Sequence, residues 1–298
     1  MKKIRLSPFV FKVKGAKNYA FFDLLNRVLF QAAPGGDIDE LKEFFLEKEL
    51  VCNTERVVPF KFQVDVSNFK EKIIIRELQI RVTGRCNENC PECGQPCCCF
   101  KGDGDISGDT LKTLIQQVKN IPVHEVVVTG GNPLIVPDAL DVLSMIRKEI
   151  PAKKFKLLFT AFDETREANR LKEMGFEIIT SHKLISEITE DQMKIDAFTF
   201  FYQQEFNPCW GNLVAVDVDG TIKPCLWAED ALGNIHENNI RELVTSGAFD
   251  HYWELTKDKI DTCNLCEYRY GCFDCRVAAQ KGMGSLTTKT VGCSYNPR

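Results

Sequence analysis

The chain has 298 residues, of which 44% are hydrophobic and 27% are charged, and its formal net charge is −4. This composition is ordinary for a globular protein with a sizeable core, and it excludes the strongly basic footprint of a nucleic-acid-binding protein. No run of about 18 apolar residues occurs, so a membrane-spanning helix is not expected.

Cysteine is the unusual residue, with fourteen copies in the chain. The N-terminal segment is basic but has no apolar stretch typical of a secretory signal, so we expect a cytoplasmic protein. In that reducing compartment many cysteines indicate metal ligands rather than disulfides. Length allows one large domain with small flanking modules.

The first 65 residues predict a small α+β unit. Residues 10–13 alternate like a strand, and residues 19–33 predict a second strand and a short helix. Asp37 can cap a helix over residues 37–50, which places Leu41, Phe44 and Phe45 on one face.

From residue 73 the pattern changes to alternating strands and helices, which predicts an α/β fold with a parallel sheet, open or closed into a barrel. In such folds, reactive groups gather at the carboxyl ends of the strands. Beyond residue 207 we expect a hairpin over 213–224, turning at Asp219-Gly220, and a helix within 239–256. The predicted strands are 73–82, 125–129, 155–160, 176–180 and 197–201, and the predicted helices are 109–121, 138–150 and 164–174.

Cys86, Cys90 and Cys93 form a C-x3-C-x2-C triplet directly after the first of these strands. Three thiolates on a compact loop can bind three irons of a [4Fe–4S] cluster and leave the fourth iron open to a small molecule. A zinc loop or accidental spacing is the alternative at this point.

A second motif, Gly130-Gly131-Asn132-Pro133, follows the next strand. Two glycines let the backbone approach a ligand closely, although taken alone the pair is simply a loop. Its position one βα unit after the cysteine triplet makes it a candidate part of the same site.

Together these motifs resemble the radical S-adenosylmethionine superfamily over roughly residues 75–205. The resemblance implies a partial (β/α)6 TIM barrel in which Cys86, Cys90 and Cys93 bind the cluster. Gly130, Gly131, Asn132 and Pro133 would then contact S-adenosylmethionine. Two positions depart from the family pattern, since Asn132 stands in place of the usual Glu and Glu92 in place of an aromatic residue.

Seven cysteines in the last 90 residues resemble the SPASM extension of that superfamily. The spacing departs from its signature only before Cys275, and an all-zinc site on the last cysteines remains an alternative. By resemblance, Cys263, Cys266, Cys272 and Cys293 would bind an outer auxiliary [4Fe–4S] cluster. Cys209, Cys225 and Cys275 would bind an inner one, giving three clusters in all.

No cysteine lies between Cys99 and Cys209, so the inner cluster is hypothesised to keep an open iron for a substrate thiolate, water or another ligand. The simplest interpretation of Cys52 is a small buried residue. Cys97-Cys98-Cys99 has two interpretations, thiols near the cluster that are not required or a thiol that relays or holds substrate.

Charged residues around these motifs receive structural interpretations. Arg81 and Arg85 are most simply solvated loop residues, although contact with the cluster or substrate is open. Asp217 and Asp219 are most simply turn formers. The four histidines lack metal-ligand spacing to one another.

The family's chemistry is cleavage of S-adenosylmethionine to a 5′-deoxyadenosyl radical, with a reductant such as flavodoxin or ferredoxin. SPASM enzymes commonly modify peptides, and residues 1–65 weakly resemble the winged-helix element that binds a leader peptide as an added strand. The expected domains are therefore 1–70 for recognition or as a cap, 71–206 for the barrel and 207–298 for SPASM.

The leading hypothesis is a maturase that crosslinks a ribosomally made precursor peptide, by a thioether or similar bond. A formylglycine-forming oxidase and a peptide epimerase are alternatives. A cluster-bearing peptide scaffold and a zinc-ribbon interaction protein are non-enzyme alternatives. No nucleic acid and no membrane partner are expected.

Overall fold

The structure is a computed structural model, and it describes residues 5–33, 41–52, 62–71, 73–86, 104–158, 166–179, 193–273 and 275–298. The chain divides into two compact units. The first combines Met1–Val66, Ser186–Cys209 and Leu255–Arg298, and the second combines Ser67–Ile185 and Trp210–Glu254. The boundaries predicted at residues 70 and 206 remain predictions.

Regular elements alternate along most of the described chain. The strands are β1 (Arg5–Leu6), β2 (Val10–Lys14), β3 (Tyr19–Asp23), β4 (Val28–Ala32), β5 (Val51–Cys52), β6 (Ile75–Thr83), β7 (Val123–Gly130), β8 (Ala152–Leu158), β9 (Glu177–Ile179), β10 (Leu213–Val216), β11 (Thr221–Lys223) and β12 (Gly233–Asn234). The α-helices are α1 (Lys42–Glu47), α2 (Asn68–Glu71), α3 (Gly108–Val118), α4 (Ala139–Glu149), α5 (Arg166–Glu173), α6 (Ala197–Glu205), α7 (Ile240–Thr245), α8 (Asp250–Trp253) and α9 (Arg276–Met283). None of the described helices has the length and apolar character needed to cross a bilayer.

A seven-stranded sheet organises the second unit, in the order β12-β11-β10-β6-β7-β8-β9. The five strands from β10 to β9 are mutually parallel, and β11 and β12 continue the sheet antiparallel. Helices α3, α4 and α5 follow β6, β7 and β8, as the alternating pattern predicts. This parallel-rich α/β sheet is consistent with a partial barrel.

The strand β6 has two different faces. Leu78 and Ile80 are fully buried, and the alternate positions carry the polar side chains of Glu77, Gln79 and Arg81. Successive strand residues point to opposite faces of a sheet, so one face of β6 is apolar and the other polar. Thr83 is the last residue of β6, and the chain continues from it to Cys86.

The predicted helix after β6 is confirmed as α3. Its buried side chains are Leu111, Leu114, Ile115 and Val118, together with Thr110, which is the 3,4 spacing of an amphipathic helix. Ser107 is the N-terminal cap of α3, because its hydroxyl accepts a hydrogen bond from the backbone N–H of Thr110 at 3.0 Å.

The first unit contains a three-stranded antiparallel sheet in the order β2-β3-β4, and a two-stranded pair of β1 with β5. Phe21 and Phe22 on the central strand are both fully buried. Phe21 packs with Phe45 of α1, and Phe22 packs with Phe200 of α6. The sheet therefore buries both of its faces. The structure does not confirm a winged helix here.

Two predicted elements are wrong. Residues 197–201 are not a strand but the start of α6, because Asp196 caps the helix by accepting hydrogen bonds from the N–H and hydroxyl of Thr199. Within 19–33, the structure has the strand β4 in place of the expected short helix. The Asp23 carboxylate accepts hydrogen bonds from the N–H groups of Leu25 and Asn26, which forms a turn instead.

Two further predictions agree in part. The helix expected over 37–50 is present as α1, and Asp37, its expected cap, lies outside the described residues. The region 239–256 holds two short helices, α7 and α8, separated at Gly247, which has a φ of 79°. The hairpin over 213–224 is confirmed as β10 and β11.

Candidate active site

Cys86 lies three residues beyond the carboxyl end of β6, and it is exposed. Cys90 and Cys93 lie outside the described residues, as do Cys97, Cys98 and Cys99. The structure therefore places the first thiol of the triplet where the sequence predicts it, and ligation by all three cysteines stays a prediction.

The two glycines after β7 pack directly against the segment that leads to Cys86. A Cβ built on Gly131 would lie 2.6 Å from the carbonyl carbon of Arg85 and 2.7 Å from the Cβ of Cys86. A Cβ on Gly130 would lie 2.6 Å from the carbonyl oxygen of Thr83. Real Cβ atoms do not approach backbone so closely, so both positions need glycine to join the ends of β6 and β7.

Backbone hydrogen bonds fasten the same junction. The Gly131 N–H donates to the Thr83 carbonyl at 3.1 Å, and the Asn132 N–H donates to the Arg85 carbonyl at 2.9 Å. The Gly-Gly motif thus holds the chain beside Cys86 in place. Contact of these glycines with S-adenosylmethionine stays a prediction.

Asn132 has a structural role at the position where the family usually has Glu. It is buried, and its side-chain oxygen accepts a hydrogen bond from the Leu134 N–H at 2.9 Å. This bond caps the 3₁₀ helix Pro133–Ile135, in which Pro133 takes the first position. The Asn side chain therefore shapes the turn that follows the glycines.

Asp105 connects the end of β6 to the residue before Cys86. Its carboxylate accepts hydrogen bonds from the Thr83 hydroxyl at 2.6 Å and from the guanidinium of Arg85. The Arg85 hydrogen bonds hold the pKa of Asp105 below its ordinary value. Arg85 is thus an ion-pair partner rather than a free solvated side chain, and no sequence motif identifies Asp105.

A buried ion cluster occupies the polar face of the sheet. Arg81 donates to Asp217 at 3.1 Å, and the ammonium of Lys223 lies 3.7 Å from the same carboxylate. The side chains of Arg81 and Asp217 are only 10% and 11% exposed. Asp217 also forms the expected turn, since it accepts a hydrogen bond from the Val218 N–H. The solvated-loop interpretation of Arg81 is therefore wrong.

A third group of residues forms a recess in the C-terminal part of the first unit. Cys263, Cys266, Cys272 and Cys293 all line this recess. None of the four forms a disulfide. The structure thus brings together the four cysteines that the resemblance assigns to the outer auxiliary cluster.

Four thiols line this recess, and a [4Fe–4S] cluster takes one thiolate for each of its four irons, so the number and type of donors match such a cluster. Within the described residues, no group of three or more His, Cys, Asp or Glu side chains is placed to hold a metal ion. Burial raises the pKa of the Cys266 thiol to about 12, so this thiol must lose its proton when it binds iron.

The cysteines assigned to the inner cluster are distributed over both units. Cys209 and Cys275 belong to the first unit and Cys225, which is buried, to the second. The Cys209 N–H donates to the side chain of Asn207 at 2.9 Å, and Cys275 directly precedes α9. Ligation of a common cluster by these three cysteines stays a prediction.

Two protein-family descriptions match the chain. An iron–sulfur cluster-binding domain, SPASM, matches residues 209–267, and a 4Fe-4S single cluster domain matches residues 76–194. Among curated proteins, the GTP 3',8-cyclase of Limosilactobacillus fermentum is 30% identical over 104 residues. That match covers 34% of this chain and 31% of the cyclase, so it spans about a third of the relative.

The chain is also similar to several solved structures, with which it shares little sequence. Streptococcus suis SuiB bound to precursor peptide SuiA is 12% identical, covers 96% of this chain and 98% of its own, and has a TM-score of 0.41. BtrN in complex with AdoMet and 2-DOIA is 16% identical with a TM-score of 0.45, over 68% of this chain and 94% of its own. The corresponding values for anSMEcpe with bound AdoMet and Cp18Cys peptide are 13%, 0.45, 72% and 93%.

Proposed function

Because the chain is a radical S-adenosylmethionine enzyme with a SPASM iron–sulfur domain, we propose that it cleaves S-adenosylmethionine and modifies a ribosomally made precursor peptide. The proposed modification is a crosslink, a thioether or similar bond. The observation that carries the proposal is the junction of β6 with β7. There Gly131 packs against Arg85 and Cys86 so closely that no side chain fits.

Cys86, Cys90 and Cys93 are the proposed ligands of the cluster that binds S-adenosylmethionine. A reduced cluster held by these cysteines would supply the single electron for reductive cleavage of the C5′–S bond of S-adenosylmethionine. The protein orients the reactants and excludes water and stray hydrogen donors. Asp105, through Thr83 and Arg85, and the two β7-to-β6 hydrogen bonds hold the backbone next to Cys86 rigidly.

The polar side chains near this junction are the proposed surface for orienting the substrate. Arg81 and Thr129 are register partners on β6 and β7, and Asp217 follows β10, the strand on the other side of β6. They lie toward the carboxyl ends of parallel strands, the edge at which α/β enzymes bind ligands. The ion pair between Arg81 and Asp217 keeps these two side chains fixed before a substrate arrives.

The peptide part of the proposal is supported by the SPASM match and by the sheet of the first unit. Among the described strands of that sheet, β2 and β4 each pair with β3 alone, so each is an edge strand to which a peptide strand could be added. A leader peptide bound there would gain backbone hydrogen bonds for affinity and side-chain pockets for specificity. The reductant would be a flavodoxin or a ferredoxin.

The SPASM cysteines would hold two auxiliary clusters. Cys263, Cys266, Cys272 and Cys293 would fully ligate the outer cluster, because all four line one recess. Cys209, Cys225 and Cys275 would hold the inner cluster with an open iron, where a substrate cysteine thiolate binds. This arrangement suits thioether formation, since the sulfur is held as a thiolate.

The first test is whether the protein cleaves S-adenosylmethionine. Anaerobically prepared, iron-loaded protein incubated with dithionite and S-adenosylmethionine should form 5′-deoxyadenosine, and the Cys86→Ala variant should not. Iron-loaded wild-type protein that forms none would contradict the proposed activity and favour a cluster-bearing scaffold.

The second test identifies the modification. A precursor peptide co-expressed with the protein should lose two hydrogens for each crosslink, detected by mass spectrometry, with no aldehyde trapped by a hydrazide probe. An unchanged mass with deuterium uptake from solvent would indicate an epimerase instead. A hydrazide-reactive product would indicate a formylglycine-forming oxidase.

A further inference from the structure

The recess formed by the four C-terminal cysteines has a cationic lining. Lys257, Arg269 and Lys289 line it together with Cys263, Cys266, Cys272 and Cys293. Among the described residues that line the recess there is no carboxylate. Three basic side chains thus surround four thiols, and the ligation pattern proposed above does not account for them.

These cations can compensate the negative charge of the expected cluster. Four thiolates around a [4Fe–4S]²⁺ core carry a net charge of about −2, which becomes about −3 when the core accepts one electron. A buried anion of this size is costly unless positive charge or hydrogen-bond donors compensate it. The lining residues are the charges available for that compensation.

All three cations have interaction partners within the protein. Arg269 forms an ion pair with Asp258 at 2.8 Å and donates to the carbonyl of Cys266 at 2.7 Å. Lys289 donates to the carbonyl of Tyr295 at 3.0 Å. Their charges lie at the recess, but that of Arg269 is offset by Asp258. A neighbouring buried carboxylate, on Glu267, accepts hydrogen bonds from Tyr295 and Gln31 through one oxygen, and its other oxygen has no hydrogen-bond partner among the described residues.

Lys257 is the most deeply buried of the three, with 1% of its surface exposed. It begins the 3₁₀ helix Lys257–Lys259, and Leu255, just before it, is fixed by a 2.7 Å hydrogen bond from the Asn207 side chain to its carbonyl. Lys259 lies two residues further on the same turn and is exposed. The fold therefore holds one lysine of this turn inside, against the cysteines, and leaves the other in solvent.

We propose that Lys257 is a positioning residue that compensates the charge of the outer auxiliary cluster and raises its reduction potential, with Arg269 and Lys289 as secondary contributors. This inference rests on the proposed function, because it requires a cluster on the four cysteines. Cations close to a cluster stabilise the reduced, more negative state more than the oxidised state, so they make the cluster a better electron acceptor.

The test measures the midpoint potential of this cluster by anaerobic redox titration followed by EPR, in the full-length protein. The signal that disappears in the Cys272→Ser variant identifies the cluster. We expect Lys257→Met to disfavour reduction at least tenfold, which corresponds to a midpoint about 59 mV more negative for one electron. The matched control, Lys259→Met on the same turn, should leave the midpoint unchanged, and Lys257→Arg should restore most of the wild-type value.

Iron and sulfide content of each variant separates a charge effect from a folding failure. Loss of the cluster in Lys257→Met with retention in Lys257→Arg would support the proposal, because both variants replace the lysine and only Arg keeps a cationic group there. Loss in both variants, or an iron-loaded Lys257→Met with the wild-type midpoint, would overturn it. Wild-type protein with no iron attributable to these cysteines would instead contradict the cluster assignment on which the proposal rests.

Discussion

The two units of the chain obtain their order in different ways. In the second unit, strands β6 and β7 bury fully apolar side chains such as Leu78, Ile80, Val126 and Val128. In the C-terminal part of the first unit, residues 255–298, a small apolar cluster of Leu255, Ile260 and Cys263 lies among loops and short helices. The sheet is stabilised chiefly by hydrophobic burial, whereas this C-terminal segment relies on polar contacts and, we propose, on iron.

Buried cations emphasise this difference. Arg276 is fully buried and donates hydrogen bonds to the carbonyls of Leu286 and Thr288, both at 2.7 Å. Lys257 is buried in the same segment. Loop carbonyls held by cations fix an irregular backbone without a large apolar core. The cluster proposed on the four cysteines would add negative charge beside Lys257 in this segment.

Removing iron should separate the two regions most clearly. With the cluster gone, the cations of residues 255–298 lose their counter-charge and the four cysteines lose their cross-link. We expect amide hydrogen exchange in this segment to accelerate at least tenfold after anaerobic treatment with a chelator, whereas β6 and β7 keep their protection. Reconstitution with iron and sulfide should reverse the effect. Equal loss of protection in both regions would contradict the comparison.

Within the second unit, the sheet unit, a substitution at Gly131 tests whether the junction of β6 and β7 is as tightly packed as the contacts indicate. We expect Gly131→Ala to lower the free energy of unfolding by about 3 kcal/mol, because backbone atoms of Arg85 cannot move aside as a side chain can. Formation of 5′-deoxyadenosine should fall tenfold or more.

The matched control for Gly131 is Gly108→Ala, since a Cβ at Gly108, the first residue of α3, would meet no atom within 4 Å. Alanine there should leave stability unchanged or raise it by up to about 1 kcal/mol. Equal behaviour of the two variants in urea denaturation would show that the junction has more room than the structure gives it.

The buried ion cluster tests the polar face of the same sheet. Asp217→Asn leaves Arg81 and Lys223 without the carboxylate that they share, and we expect a loss of about 2–3 kcal/mol in the free energy of unfolding. Asp219→Asn is the control two residues away. Its side-chain oxygen accepts a hydrogen bond from the Thr221 N–H at 3.0 Å, and Asn keeps that acceptor. A loss as large for Asp219→Asn would mean that the turn, not the ion cluster, is the source of stability.

Local patterns in the sequence predicted the regular part of the sheet unit. Alternating apolar strands and amphipathic helices identified β6 to β9 and α3 to α5 within a few residues. The aromatic run at 197–201 wrongly predicts a strand, because a short apolar segment has no decisive period and Asp196 caps a helix there. The pairing of β10 with β6 joins residues far apart in the chain, so no local pattern predicts it.

The candidate site divides in the same way. Motif spacing places Cys86 and the two glycines at neighbouring strand ends, and the resemblance to the SPASM extension assigns to one cluster the four cysteines that line one recess. Arg81 and Asp217 are 136 positions apart, so only the folded chain shows that they are partners. Lys257 carries no sequence motif, and its burial beside the cysteines follows from tertiary packing alone.

His124 on β7 gives the smallest effect, and one confined to the sheet unit. Its ring packs edge-on against Phe69, and burial, with the nearby charges of Lys153 and Arg76, lowers its pKa from the ordinary value of 6.5. The unfolded chain therefore binds a proton more readily than the folded chain. Stability from the neutral ring is full above pH 6.5 and is lost as the pH falls through the lowered pKa of the folded state.

We accordingly expect the urea midpoint of the wild-type protein to decrease between pH 7.5 and 5.5 by more than that of His124→Gln, which cannot take up the proton. The same substitution at exposed His251 is the control, and it should leave the wild-type pH dependence in place. Parallel pH profiles for wild type and His124→Gln would mean that the ring is as well solvated in the folded sheet as in the unfolded chain. Because His124 belongs to the second unit and the four recess cysteines belong to the first, this pH dependence should persist in iron-free protein.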